Sequence, residues 1–240
     1  FQGNVNNNKT ISDGTFQGNV NNNKTISDGT FQGEVFNYGT ISDGTFQGEV
    51  YNHDTISGGT FQGGEVYNFR GAISGGTFEK RMTLMNDGAS FTISDGLFKG
   101  EVSTEGCASP LSISGGLFTK AVDVSITDPS NLQITGGYFV SEPTVPEGSD
   151  TRFTTVSDQS CRAFHVPVNR DWSEKRYTSL FVPRGSSEQP NTITVKTNTK
   201  LLYYLADDER VPVLDSDSDS YIYQIPVQNY EKIVLVTEEP

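Results

Sequence analysis

The sequence predicts an all-β protein. A parallel β-helix, or β-solenoid, of about eight to nine coils is expected over residues 1–154, followed by a small, mostly antiparallel β module over 155–240. Three observations carry this expectation. Residues 1–15, FQGNVNNNKTISDGT, recur letter for letter at 16–30. Phe restarts the same unit at 1, 16, 31, 46, 61, 78, 98, 118 and 139, giving unit lengths of 15, 15, 15, 15, 17, 20, 20 and 21 residues. Only 33% of the 240 residues are hydrophobic, which is low for an ordinary globular core but sufficient for a stack of thin coils.

Within a unit the apolar period is two. In TFQGNVN, Phe16, Gly18 and Val20 alternate with Gln17 and Asn19, so a strand is expected to carry Phe and Val on one face. A second short strand, TIS, turns Ile26 inward and Thr25 and Ser27 outward. NNNK and SDGT or SGGT separate the strands as turns. One unit cannot bury Phe, Val and Ile alone, whereas stacked units can, each residue on its own copy. At about 3.3 Å per residue a fifteen-residue coil is about 50 Å around, and successive coils lie about 4.8 Å apart. Asn7, Asn22, Asn37, Asn52 and Asn68 follow the Val strand and are spaced to form an amide ladder. Later units lengthen between the Val and Ile positions, so the solenoid should broaden toward its carboxyl end.

SEPTVPEGSD (141–150) has the composition of a linker or loop. Beyond about residue 155 the repeat ends, and RAFHVPV, RYTSLFVP, NTITVKT, KLLYYLA, YIYQIPV and KIVLVTE read as strands. They would form a sandwich, or a cap over the open sheet edges of the last coil.

The net charge is −13, with −7 in residues 1–140 and −6 in 141–240, so neither part offers the basic face that a nucleic-acid partner requires. No apolar run approaches the roughly 20 residues that span a bilayer, so no membrane insertion is expected of this stretch. The chain starts within the repeat, without an initial Met or a signal peptide, and is expected to be a piece of a longer protein. Cys107 and Cys161 would either pair or stand as separate thiols.

Stacked coils place like residues in rows, and the outward rows are where recognition belongs. Phe36 and Tyr38, Tyr51 and His53, and Tyr67 and Phe69 flank the recurrent Asn in three successive units. If the Asn points inward, these six side chains form an exposed aromatic row suited to sugar rings or a protein partner. Aromatic cross-strand pairing would explain them equally. Thr10, Thr25, Thr40 and Thr55, with Ser12, Ser27, Ser42 and Ser57, make a flat T-x-S face. Such faces resemble those of some ice-binding proteins, although hydroxyl rows are also ordinary strand filler, the reading preferred here.

Asp13, Asp28 and Asp43 form one acidic row and Glu34, Glu49 and Glu65 another, at a cost of about 1 kcal/mol per contact in water. The nine-residue calcium-solenoid pattern is missing, and DSDSDS (215–220) lacks the Gly and closing Glu of a calcium loop, so no metal or cofactor is expected. With two His, His53 and His165, and no nucleophile or metalloprotease signature, no catalytic residue is assigned. His165, Trp172 and Arg184 are explained by core, turn and surface roles.

The units G-T-F-Q-G-x-V-x-N-x-x-T-I-S-G/D-G resemble the "TISGGTF" repeats of large secreted or wall-anchored surface proteins of Gram-positive gut bacteria, over residues 1–139. The resemblance implies an adhesin-like parallel β-helix, right-handed, in an extracellular or cell-wall setting. The expected role is a non-enzymatic stalk or scaffold that displays the carboxyl module, with a glycan or a host or bacterial surface protein as partner. A carbohydrate-binding module using the aromatic row is the alternative, and a polysaccharide lyase or hydrolase a more distant one.

Overall fold

The computed structural model describes residues 1–85, 88–105, 109–158, 164–166, 176–185, 191–213 and 220–238. Residues 1–139 form a parallel β-solenoid. Each fifteen-residue unit makes three short strands, as in Val20–Asn22, Thr25–Ile26 and Thr30–Phe31. Each strand pairs in parallel with its copy one unit on: Val20 with Val35, Ile26 with Ile41, Phe31 with Phe46. Eight such strands stack in the sheet that begins with Val5–Asn7 and ends with Val122–Asp123.

One expectation about the unit is corrected. TFQGNVN is not a single strand: Thr15–Phe16 and Val20–Asn22 are separate strands with a corner between them. Phe16 and Val20 are both buried, but they enter the core from two different sides of the coil. The corner turns at Gly18, where the backbones of successive coils approach so closely that a Cβ would lie 2.6 Å from the Gly3 carbonyl carbon. Alternation alone cannot distinguish a strand from two strands meeting at such a point.

The second corner, S-D/G-G, has its own requirement. Its last residue is Gly14, Gly29, Gly44, Gly59, Gly76, Gly96, Gly116 or Gly137, with φ from +96° to +134°. This is backbone that side-chain-bearing residues rarely adopt. A Cβ there would also press on the Phe rings of the core, 3.3 Å from the Phe31 ring in the case of Gly44.

The core is built from columns. Phe1 and Phe16 stack at 4.8 Å between ring centroids, and the column continues without a break to Phe118 and Phe139 at 4.7 Å. Val20, Val35 and Val50, and Ile26, Ile41 and Ile56, make the other apolar columns, all essentially inaccessible to solvent. The expected broadening is present. The strand Met82–Met85 and the eight-residue strands Phe91–Phe98 and Leu111–Phe118 replace the shorter ones. Leu84, Phe91, Leu111, Val124 and Leu132 add to the core that the earlier coils build from Val, Ile and Phe alone.

The segment 141–150 is a packed loop. Thr144 pairs with Asp123 as a parallel bridge and exchanges backbone hydrogen bonds with Val122 and Val124. Val145 packs against the solenoid core. The Phe column ends on Phe153, whose ring meets Phe139 edge-on at 78° and 5.7 Å. A perpendicular ring cannot continue the stack, so Phe153 closes it.

The carboxyl region is a small two-sheet module, mostly antiparallel. One sheet runs, in spatial order, Ser179–Pro183, Phe153–Asp158, Lys232–Thr237, Leu201–Ala206 and Glu209–Pro212. The other runs Arg176–Tyr177, Phe164–His165, Thr192–Lys196 and Ile222–Pro226. Two of these strands, Phe153–Asp158 and Glu209–Pro212, lack an alternating apolar signature. In Phe153–Asp158 the buried residues are Thr154, Val156 and Asp158. Thr154 is fully buried, and its hydroxyl is satisfied there: it donates its one proton to the Tyr230 carbonyl at 2.5 Å, with the Val227 carbonyl 3.1 Å away as the other acceptor within reach.

The module both forms a sandwich and covers the solenoid. Phe181 pairs antiparallel with Phe139 of the last coil. A second joint lies along the side. The outward position before each Phe is Thr15, Thr30, Thr45, Thr60 and Thr77, and then Leu97, Leu117 and Tyr138. Leu97 and Leu117 belong to the core of the module, with Tyr138 and Val140 packed beside them. The Tyr138 hydroxyl donates to the Thr194 carbonyl at 3.0 Å, and burial pushes its phenol up to about 12.

Deleting residues 16–30 should leave a folded chain whose long dimension in small-angle scattering is shorter by about 5 Å; loss of cooperative unfolding would contradict the stack. Leu117→Ala should cost about 2–5 kcal/mol in denaturant unfolding. The raised Tyr138 phenol binds its proton more tightly in the folded state, so its contribution to stability is full below pH 10 and is lost as pH climbs toward 12. Tyr138→Phe should flatten the stability profile over that window.

Candidate functional site

The outward face of the Val-x-Asn sheet carries the six aromatic candidates, and the residue between each pair explains their direction. Asn22, Asn37, Asn52 and Asn68 are fully buried. Their amides form a ladder: Asn7 Nδ2 donates to Asn22 Oδ1, Asn22 to Asn37, and Asn37 to Asn52, each at 2.7 Å, and Asn52 to Asn68 at 2.6 Å. Asn37 Nδ2 also donates to the Gly39 carbonyl at 2.7 Å, which ties the ladder to the corner. At the end of the ladder the next residue in register is Leu84, and Asn68 Nδ2 meets no hydrogen-bond partner among the described residues.

With Asn turned inward, its two neighbours point outward on either side. Phe36, Tyr51 and Tyr67 form one column, with centroid separations of 4.9 and 5.2 Å. Tyr38, His53 and Phe69 form a second, at 4.8 and 4.5 Å. All six candidates therefore come together on one surface. Five are half-buried, and Tyr38 is 47% exposed. The planes within a column lie 9° to 15° from parallel. Successive rings cover much of one another's faces and leave edges and hydroxyls toward solvent, whereas a sugar ring stacks on an open face.

Glu34, Glu49 and Glu65 lie beside the columns, and each has a local donor. Asn19 Nδ2 donates to Glu34 at 2.8 Å, and the Tyr51 hydroxyl to Glu49 at 2.6 Å. That hydrogen bond, with burial and the Glu49 charge, pushes the Tyr51 phenol up to about 12. Burial, and then a hydrogen bond to Glu65, raises Tyr67 in the same direction. The Asp row is arranged differently. Asp13, Asp28 and Asp43 each accept from the N–H of the following Gly at 2.6 to 2.8 Å, so their carboxylates fold back on the corner.

The remaining singled-out residues are dispersed. Ser27, Ser42 and Ser57 donate to the Ile carbonyls of the preceding coil at 3.2 to 3.3 Å. His165 is buried in the module, with Nε2 2.8 Å from Asn198 Oδ1. Arg184 ties segments of the module to one another, through the Phe153 carbonyl at 3.1 Å and Glu231 at 3.4 Å. Cys107, Cys161, Trp172 and Asp215–Asp219 lie outside the described residues. Among the described residues no three of His, Cys, Asp and Glu converge as metal ligands would. No protein-family model matches the chain, and no curated protein or solved structure gives a significant match to it.

Asn37→Asp puts a group that cannot donate into the ladder and orphans the Asn52 acceptor. Each orphaned buried group costs about 1–3 kcal/mol. Burial raises the folded-state pKa of such a carboxyl, so stability should recover as pH falls toward about 4, where the unfolded Asp titrates; Asn37→Ala should show no comparable recovery. Glu49→Gln should bring the Tyr51 phenol down from about 12 toward 10.0, read from phenolate absorbance.

Proposed function

We propose that residues 1–240 form a non-enzymatic, adhesin-like scaffold of a secreted or cell-wall-associated bacterial surface protein. In this reading the solenoid is a stalk and the carboxyl module is the element that it displays. The observation that carries the proposal is the joint between them. The module pairs with the last coil through Phe139 and Phe181, and is packed along the side on Leu97, Leu117 and Tyr138. A flexible tether would let the module tumble; a strand-paired, side-packed joint fixes its direction relative to the stalk.

Repeat architecture supports the same reading. Each coil depends on its immediate neighbours, so coils can be added or removed without redesigning the rest. Each adds about 4.8 Å of reach. The surface location rests on the resemblance of the units to TISGGTF repeats, and the acidic, polar exterior is compatible with it.

An antibody against the carboxyl module should label intact source cells or their medium. Labelling only after lysis would remove the surface reading. Tandem copies of residues 16–30 should lengthen the particle in electron micrographs in proportion to their number, with the module kept at one end.

A further inference from the structure

The first four units are the same coil in their interior, and they differ sharply on one outward surface. The inward residues Val20, Asn22, Ile26 and Phe31 become Val35, Asn37, Ile41 and Phe46 without change. Four outward columns change together. Asn4 and Asn19 give way to Glu34 and Glu49, and Asn6 and Asn21 to Phe36 and Tyr51. Asn8 and Asn23 give way to Tyr38 and His53, and Lys9 and Lys24 to Gly39 and Asp54. Units one and two pair in register with Asn at these positions: Asn21 Nδ2 donates to Asn6 Oδ1 at 2.9 Å and Asn23 Nδ2 to Asn8 Oδ1 at 3.2 Å. The fold therefore requires neither the aromatics nor the carboxylates.

From this contrast we infer that the outward sheet face of units three to five is a docking surface for a cationic, extended polypeptide segment, one that brings Lys or Arg side chains. Charge complementarity selects this occupant. Beside the aromatic columns, units three to five carry Glu34, Glu49, Asp54 and Glu65 against one cation, Arg70, whose Nε is held by the His53 carbonyl at 3.0 Å, so the face stays net negative. The Tyr51 hydroxyl occupies one lone pair of Glu49 and orients it, leaving further acceptor sites on the carboxylate. Apolar Lys and Arg stems can lie along the ring edges of the two columns while their heads reach the Glu column. The surface is bounded on one side by the Asn columns of units one and two. On the other, Arg81 turns to Ser103 at 2.8 Å and to Glu105 at 3.6 Å. A neutral glycan fits less well, because the ring faces that it would stack on are largely taken up by one another.

The test uses the full 240-residue chain, with an octa-arginine peptide and a neutral cello-oligosaccharide as probes, followed by calorimetry at low and physiological salt. The main variant replaces the face with the residues of units one and two: Glu34→Asn, Phe36→Asn, Tyr38→Asn, Glu49→Asn, Tyr51→Asn and His53→Asn. A milder one is Glu34→Gln, Glu49→Gln and Glu65→Gln. The charge-matched control is Asp13→Asn, Asp28→Asn and Asp43→Asn, on the corner row. The expected result is peptide binding that falls at least about tenfold in both face variants and less than about threefold in the control, with unchanged circular dichroism. Equal losses in face and control variants would reduce the effect to bulk charge and overturn the proposal. So would oligosaccharide binding that is lost with the face, or failure of the wild-type chain to bind the peptide at low salt.

Discussion

The constraint on which everything else depends is in-register stacking at one strand spacing. Every residue of a coil lies directly over its counterpart, so a residue type is useful only if it tolerates a copy of itself about 4.8 Å above and below. Phe meets this requirement by parallel ring stacking, which adds about 0.5–1.5 kcal/mol per pair to the burial of the ring. Asn meets it because its amide both donates and accepts, so each member satisfies the next. Gly meets it at the S-D/G-G corner, where positive φ and the adjacent rings exclude a side chain. The three recurrent letters of the unit are three answers to one geometric demand.

The same constraint shapes the surface. A charged residue repeated at this spacing repels its copies, and the two acidic rows deal with that differently. The Asp row turns back onto corner N–H groups, which removes it from recognition. The Glu row leans on Asn19, Tyr51 and the neighbourhood of Tyr67, and stays on an outward face beside the aromatics. Two rows of similar composition thus differ in what a partner would meet.

The solenoid also changes character along its length. The early coils are narrow and carry the Asn ladder. The later coils lose it at Leu84, gain Phe91 and Leu111, and use Leu97, Leu117 and Tyr138 to bury the carboxyl module. The aromatic surface and the module joint occupy different parts of the stack. A stalk with a fixed element at one end, and a separate surface part-way along it, is consistent with both.

The sequence alone determined the parallel stack, its period, the inward columns, the amide ladder and the aromatic surface, because like-on-like stacking makes each column readable as a letter recurring at a fixed interval. Tertiary structure decided the rest. The corner at Gly18 divides what alternation presents as one strand, because close approach of two coils leaves no trace in hydrophobic period. Phe153–Asp158 is a strand whose buried side includes Thr154 and Asp158, and satisfied polar groups look like a loop in a sequence. The change from GTF to GLF and GYF is visible in the letters. That it marks where the module lies could be known only from the structure, because residues 155–240 have no repeat to align them and their docking depends on contacts between segments far apart in the chain.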